Sequence, residues 1–226
     1  MKPPLITFDL DGTFADTALD LIATLNRVTA SLNIPETTMD VVGQIVGQGA
    51  KAMITRAFKL HGREINEPEL SELFEEFIED YSAHIADLTQ PYPHVLEVME
   101  ELAQDGYSFA VCTNKTELLA ERLLTQLGVR DRFLAVTGGD TFDFKKPDGR
   151  HILETAKLAG FEPQNAIMIG DSFADIDAAK DAGIPSIAVD FGYSDIPAVD
   201  LKPDFVISGY LELPTIIRQI SSKIEV

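Results

Sequence analysis

The sequence predicts an α/β fold, a doubly wound parallel sheet whose first strand is followed by a small all-helical insert. Three observations predict it. Between residues 94 and 190, short apolar runs alternate with amphipathic helical runs, as strands buried on both faces and crossed over by helices require. Gly106, Gly128, Gly160 and Gly183 each stand where a helix C-terminal glycine is expected. After the first apolar run, residues 5–10, roughly 80 residues pass before that rhythm begins, far more than a crossover needs.

The elements follow in order. Residues 108–112 lead into Thr113-Asn114-Lys115 and a helix over 117–127. Residues 134–136 lead into Gly138-Gly139-Asp140 and, past a loop, a helix near 151–159. Residues 166–169 lead into Gly170-Asp171-Ser172 and a helix ending at 182, and residues 186–189 close the series. In the insert, Ala18, Leu21, Ile22, Leu25, Val28 and Leu32 keep a 3.6-residue period. Leu70, Leu73, Phe74, Phe77, Ile78, Tyr81 and Ile85 keep it too, with Asn66 and Pro68 as start signals. A shorter helix is expected over 50–58, and Asp16 and Thr17 are expected to cap the first insert helix. The predicted division is a core of residues 1–15 and 89–226 and a helical domain of residues 16–88, hinged near Ala15 and Gln90-Pro91.

Composition limits the function. The 226 residues are 45% hydrophobic and 24% charged, which suits a globular chain. No apolar stretch approaches the ~20 residues that span a bilayer, and the start of the chain does not resemble a signal peptide. The single cysteine, Cys112, fits a reducing, cytoplasmic setting, and with no Cys/His cluster a zinc site is not expected. Against 37 Asp and Glu stand 18 Lys and Arg, a net charge of −19, which speaks against a nucleic-acid partner. The same field repels a phosphorylated substrate, so a phosphate site needs local cations.

Asp9-Leu10-Asp11-Gly12-Thr13 is the most informative stretch. Two carboxylates at i and i+2 on an extended chain point the same way, and Gly12 permits a sharp turn at the strand end. Carboxylates this close raise each other's pKa unless a cation neutralises them, so the pair suits a metal site or a division into nucleophile and acid/base. A polar turn with each Asp capping backbone N–H groups is the alternative. Asp171, with Asp175 four residues on, offers hard oxygen ligands for Mg²⁺, although helix capping accounts for either residue alone. Thr113 and Asn114 offer a hydroxyl and an amide to phosphate oxygens, and Lys145 or Lys146 a positive charge. Gly47-Gln48-Gly49-Ala50-Lys51 at a helix start can present N–H groups and Lys51 to an anion, or be a plain glycine turn. Agreement of four strand ends on one chemistry favours function over four separate structural accounts.

Asp9-Leu10-Asp11-Gly12-Thr13, Thr113-Asn114, Lys146-Pro147 and Gly170-Asp171-Ser172-Phe173-Ala174-Asp175 resemble, in order and spacing, the four motifs of the haloacid dehalogenase-like phosphohydrolases. Thr113-Asn114-Lys115, Gly138-Gly139-Asp140-Thr141 and Phe191-Gly192-Tyr193 resemble the phosphoglycolate phosphatase branch, and the insert is similar to its mobile cap. One departure is Gly149, where the family usually has a second proline after Lys146-Pro147-Asp148, a difference that bears on the loop's rigidity. The resemblance implies a Rossmann-like core with a cap, and hydrolysis of a small phosphorylated metabolite. It implies that Asp9 is the nucleophile, Asp11 the acid/base, and Thr113, Asn114 and Lys146 holders of phosphate charge; from the residues themselves, Gly12 and Lys51 are further candidate phosphate contacts. It also implies Mg²⁺ on Asp9, the Asp11 carbonyl and Asp171, with Asp175 steering Lys146 or a metal-bound water. The protein is expected to act as a monomer or homodimer. Pyrophosphatase and sugar-phosphate phosphatase readings stay open. Phosphohexomutases carry a cap histidine where this chain has Leu21, which favours hydrolysis. Phosphoacceptor receiver modules lack the insert and the Asp-x-Asp-Gly-Thr pattern.

Overall fold

A computed structural model describes residues 3–42, 46 and 49–224. Strand β1 (Leu5–Phe8) is fully buried and lies at the centre of the sheet. The short β2 (Ala15–Asp16) leads into the insert helices α1 (Ala18–Thr29), α2 (Ala50–Leu60) and α3 (Glu67–Ala83). The chain returns through β3 (Gln90–Pro91), α4 (Val95–Gln104), β4 (Ser108–Cys112), α5 (Glu117–Gln126) and β5 (Phe133–Thr137). It continues through α6 (Arg150–Leu158), β6 (Ala166–Gly170), α7 (Phe173–Ala182), β7 (Ser186–Val189), β8 (Phe205–Ile207) and α8 (Leu213–Ile224). The sheet order is β5-β4-β1-β6-β7-β8, every pairing parallel. The chain therefore runs outward from β1 to one edge, then crosses back to fill the other. That reversal puts the carboxyl ends of β4, β1 and β6 side by side, at the switch point where such sheets bind ligands.

The insert's apolar period is realised as packing. Leu21, Leu25 and Val28 of α1 meet Leu70, Leu73, Phe77 and Tyr81 of α3 and Met53, Ile54, Ala57 and Phe58 of α2 in one buried cluster. Asn66 starts α3 by accepting the Glu69 N–H at 3.0 Å, with Pro68 in the first turn, as the sequence suggests. Where the insert joins the core, β2 and β3 pair antiparallel, Ala15 with Pro91 and Asp16 with Gln90. At the start of α1 the expected cap is kept in part: Asp16 Oδ1 accepts the Ala18 N–H at 3.4 Å, but Thr17 does not cap. The Thr17 hydroxyl turns back to Asp11 at 2.7 Å, and the Ala18 N–H donates to the Tyr193 hydroxyl at 2.9 Å. Among the described residues no helix is long and apolar enough to cross a membrane.

Gly149 has a steric reason. A Cβ there would meet Ala182 N at 2.5 Å and Ala178 O at 2.8 Å, so α7 can approach the lysine loop only if position 149 is bare. Its N–H also donates to Asp181 at 2.8 Å. The loop is held by contact with a helix, and proline, which has no N–H, could not make that bond.

Candidate active site

Asp9 follows β1 directly, and its N–H donates to the Ile169 carbonyl at 2.9 Å, which fixes it beside the end of β6. Its Oδ1 accepts from the Lys146 ammonium at 2.9 Å, and the same ammonium donates to Asp175 Oδ1 at 2.5 Å. The Lys146 side chain is 1% exposed and that of Asp175 0%, so little solvent screens the triad. Asp175 is oriented in turn by its second oxygen, which accepts the Ser172 N–H at 3.0 Å and hydroxyl at 2.6 Å in a capping box that opens α7. Gly170 makes room for this arrangement, since a Cβ there would stand 2.2 Å from Asp175 Cγ.

Asp171 leaves β6 one residue later, and its Oδ2 accepts the Tyr193 N–H at 2.6 Å. Asp9, Asp171 and Asp175 each bring a carboxylate oxygen to within 4.8 Å of the others. Burial raises the Asp9 pKa to about 6, with Lys146 pulling it down and Asp175 pushing it up. Asp171 is raised well above the ordinary carboxylate range, by burial first and then by Asp175 and Asp9. Burial alone would lower the Lys146 pKa, but Asp175 and Asp9 outweigh it and hold the ammonium charged. Three carboxylates thus share one lysine. A hard divalent cation with oxygen ligands fits that excess of negative charge.

Asp11, two residues past Asp9, is held differently. Its carboxylate accepts from the Lys115 ammonium at 2.9 and 3.2 Å as well as from Thr17. Lys115 also donates to the Tyr81 hydroxyl of α3 at 3.0 Å and lies 4.5 Å from the centre of that ring. Thr113 is buried at the end of β4, its hydroxyl accepting the Lys115 N–H at 3.2 Å. Asn114 ties two motifs together by donating from Nδ2 to the Lys146 carbonyl at 3.0 Å, while its buried Oδ1 has no partner among the described residues. Gly138 and Gly139 admit this turn, since a Cβ on Gly139 would stand 2.6 Å from the Asn114 carbonyl oxygen. Asp140 then caps α5 from outside by accepting the Glu117 N–H at 2.7 Å.

The site opens into a cavity of about 80 Å³ between the core and the insert helices. Asp9, Asp11, Thr113, Asn114 and Lys115 form its polar side, and Leu21, Met53, Phe74, Phe77 and Ile78 its apolar side.

Some expected contacts are placed elsewhere. Gly12 is read in the sequence as a phosphate contact, but its N–H, its one donor, is spent on the Ala15 carbonyl at 3.0 Å. What Gly12 supplies is clearance. It has φ +78°, and a Cβ would lie 2.6 Å from Asp171 Oδ2. Lys51 is exposed, with its ammonium 5.2 Å from the centre of the Phe74 ring, and is not among the residues lining the cavity. Gly47 and Gln48 of the same stretch lie outside the described residues. Arg150, for which the sequence makes no assignment, pairs with Asp148 at 2.6 Å and lies over Phe144, and it does not line the cavity. Cys112 is buried, with its thiol pushed up to about 11 by burial, and so is no nucleophile.

A histidine outside the motifs and a tyrosine within the Phe191-Gly192-Tyr193 motif add contacts to the site. His151 is fully buried, and its Nδ1 accepts the Lys146 N–H at 3.3 Å, pinning the lysine loop. Tyr193 donates its hydroxyl to Asp16 at 2.5 Å, so one residue touches both Asp171 and the strand β2 that leads into the insert. Phe191-Gly192-Tyr193 was visible as a motif, and Gly192 shows why. A Cβ there would stand 2.2 Å from Asp171 Cβ.

Comparison with known proteins shows the family. Residues 6–189 match the family model described as haloacid dehalogenase-like hydrolase. The chain is 48% identical over 221 residues to phosphoglycolate phosphatase of Agrobacterium fabrum, covering 97% of this chain and 95% of the relative. It is 40% identical over 209 residues to phosphoglycolate phosphatase of Caulobacter vibrioides, covering 92% and 88%. A crystal structure from Haemophilus somnus 129pt, described as a predicted phosphoglycolate phosphatase, superposes with a TM-score of 0.87 at 29% identity, covering 96% of this chain and 98% of that one. With the family model spanning most of the chain and these relatives aligned almost end to end, the protein belongs to the haloacid dehalogenase-like hydrolases.

Proposed function

We propose that the protein is a magnesium-dependent phosphatase that hydrolyses 2-phosphoglycolate through a phosphorylated Asp9. The observation that carries this reading is the pair Asp9 and Asp11, two carboxylates at one strand end held in different surroundings. Asp9 is fixed by the buried Lys146, and Asp11 faces the cavity beside the insert. Relatives named phosphoglycolate phosphatase, up to 48% identical over nearly the whole chain, support the substrate. The small cavity suits a metabolite better than a phosphoprotein.

In the first step an Asp9 oxygen attacks phosphorus and the bond to the ester oxygen breaks. The Asp11 carboxyl gives its proton to the departing alkoxide, and glycolate leaves. In the second step water attacks the phosphorus of the aspartyl phosphate, Asp11 takes the water's proton, and phosphate leaves with Asp9 restored. Lys146, the Thr113 hydroxyl and the Asn114 backbone N–H supply positive charge and donors to the phosphoryl oxygens. Asp9 and Asp171 would hold Mg²⁺ with the Asp11 carbonyl, and Asp175 steers Lys146. When bound, the cation offsets the repulsion between carboxylates and phosphate. The insert acts as a cap that excludes bulk water from the acyl phosphate.

The test is phosphate release from 2-phosphoglycolate, pyrophosphate and hexose phosphates with and without Mg²⁺. Magnesium-dependent turnover dominated by 2-phosphoglycolate is expected, and Asp9→Asn is expected to lose activity by at least roughly 10⁴-fold while staying folded. An active Asp9→Asn would remove the nucleophile assignment, and preference for another substrate would remove 2-phosphoglycolate.

A further inference from the structure

The cavity between core and cap has a markedly uneven distribution of charge. Its cap side is apolar, and Lys115 is the one cation among its described lining residues. Lys146 is buried beneath, already shared by Asp9 and Asp175, and belongs to the phosphate end. A substrate with a second anion, beyond the phosphate, needs a positive partner in this space, because an unpaired anion against apolar walls carries a large desolvation cost.

Lys115 is built for exchange. Its side chain is 5% exposed, and the partners of its ammonium are the Asp11 carboxylate, which it grips by both oxygens, and the Tyr81 hydroxyl. Asp11 and Lys115 come from the core and Tyr81 from the cap helix α3, so the three meet only where the two parts touch. A substrate carboxylate is the same chemical group as the side chain that Lys115 already binds. In exchanging one for the other, the lysine keeps a carboxylate and the cap tyrosine while Asp11 is released.

We propose that Lys115, backed by Tyr81, is the specificity residue for the carboxylate of the substrate, and that binding this carboxylate frees Asp11 from its ion pair to turn toward the ester oxygen. The proposal rests on the phosphatase reading above and names the residues that read the carboxylate next to the phosphate. An ester without the carboxylate leaves Lys115 on Asp11, so it is penalised in turnover as well as in binding. Selection is then read at the acid/base residue itself, through one lysine, and the cap takes part by way of the tyrosine.

The experiment compares 2-phosphoglycolate with ethyl phosphate, which lacks the carboxylate, in the wild type, Lys115→Met, Lys115→Arg and Tyr81→Phe. The wild type is expected to favour 2-phosphoglycolate in kcat/KM. Lys115→Met is expected to shrink that preference by roughly 10- to 100-fold, the size of a lost charge-assisted hydrogen bond pair, by raising KM for 2-phosphoglycolate and by lifting the kcat penalty on ethyl phosphate, whose Asp11 no longer has an ion pair to leave. Lys115→Arg should restore part of the preference, and Tyr81→Phe should shrink it less than Lys115→Met. Equal losses on both substrates in Lys115→Met, or an unchanged preference, would overturn the proposal while leaving the phosphatase reading in place. Absence of turnover of every ester by the folded wild type would overturn the phosphatase reading, and this proposal with it.

Discussion

Replacing Lys146 by methionine, close in volume and without charge, leaves three buried carboxylates with no cation among them. The Lys146 ammonium is 2.9 Å from Asp9 and 2.5 Å from Asp175, and both lysine and Asp175 are almost wholly buried. Removing one partner from such a pair costs about 3–5 kcal/mol, because the other charge stays in a poor solvent. Proton uptake limits the loss: Asp9, already at about 6, can accept a proton once its cation is gone. The lower end, about 3 kcal/mol, is therefore the expectation at neutral pH, a drop in Tm of roughly 6–12 °C for a domain of this size. Thermal unfolding in EDTA and in excess Mg²⁺ measures it. The variant should gain more from Mg²⁺ than the wild type does, since a divalent cation then supplies charge the lysine no longer gives. Its kcat should fall by roughly 10²–10³-fold, as for loss of one preorganised transition-state contact. A variant as stable as the wild type in EDTA, with no added response to Mg²⁺, would refute the claim that the cluster carries uncompensated negative charge.

Two further perturbations follow from the same geometry. Gly192→Ala places a Cβ 2.2 Å from Asp171 Cβ and must displace that carboxylate, so the Mg²⁺ concentration for half-maximal activity should rise by roughly 10- to 100-fold. Gly209→Ala, with nothing within 4 Å, is the control, and an unchanged Mg²⁺ requirement in Gly192→Ala would count against Asp171 as a ligand. His151 is pushed down to about 3, by burial first and then by Lys146, so the unfolded chain takes its proton near 6.5 while the folded chain does not. Its contribution is complete above about 6.5 and is lost as pH falls from there toward 3, by up to about 1.4 kcal/mol per pH unit. The raised Asp9 acts in the opposite sense, its contribution being present below 3.8 and lost as pH rises through about 6. Urea titrations of the metal-free protein and His151→Gln between pH 6.5 and 4.5 isolate the histidine, and identical slopes in the two would show that it is not buried neutral.

The meeting of Asp9, Thr113 and Asp171 could be read from the sequence because each directly follows a strand. Once the alternation of strands and helices is recognised, Asp9, Thr113 and Asp171 must emerge together at the edge where β1, β4 and β6 end. At Gly12 the structure shows clearance for Asp171, which the sequence could not distinguish from a donor, because a glycine after a strand serves either purpose. Strands β2 and β3, of two residues each, are too short to show a period. The contacts that set up Asp11 were hidden for a different reason. Lys115 reaches Asp11 across 104 residues and Tyr193 reaches Asp16 across 177, and no local spacing encodes such a meeting.

Tyr81 is the sharpest case. In the sequence it is one more member of the apolar series with Phe77, Ile78 and Ile85, and the structure agrees, stacking its ring 5.8 Å from that of Phe77. An amphipathic period reports that a side chain is buried. It does not report what the buried end of a tyrosine meets, and a phenol pushed up to about 12 by burial stays neutral and can both accept and donate. The residue that packs the cap is therefore also the one through which the cap touches Lys115. Evolution of the cap for a different substrate would then be constrained at Tyr81 in two ways at once. A change to phenylalanine keeps the packing and drops the lysine contact, whereas leucine loses both. The difference between those two variants separates the cap's stability from its part in recognition.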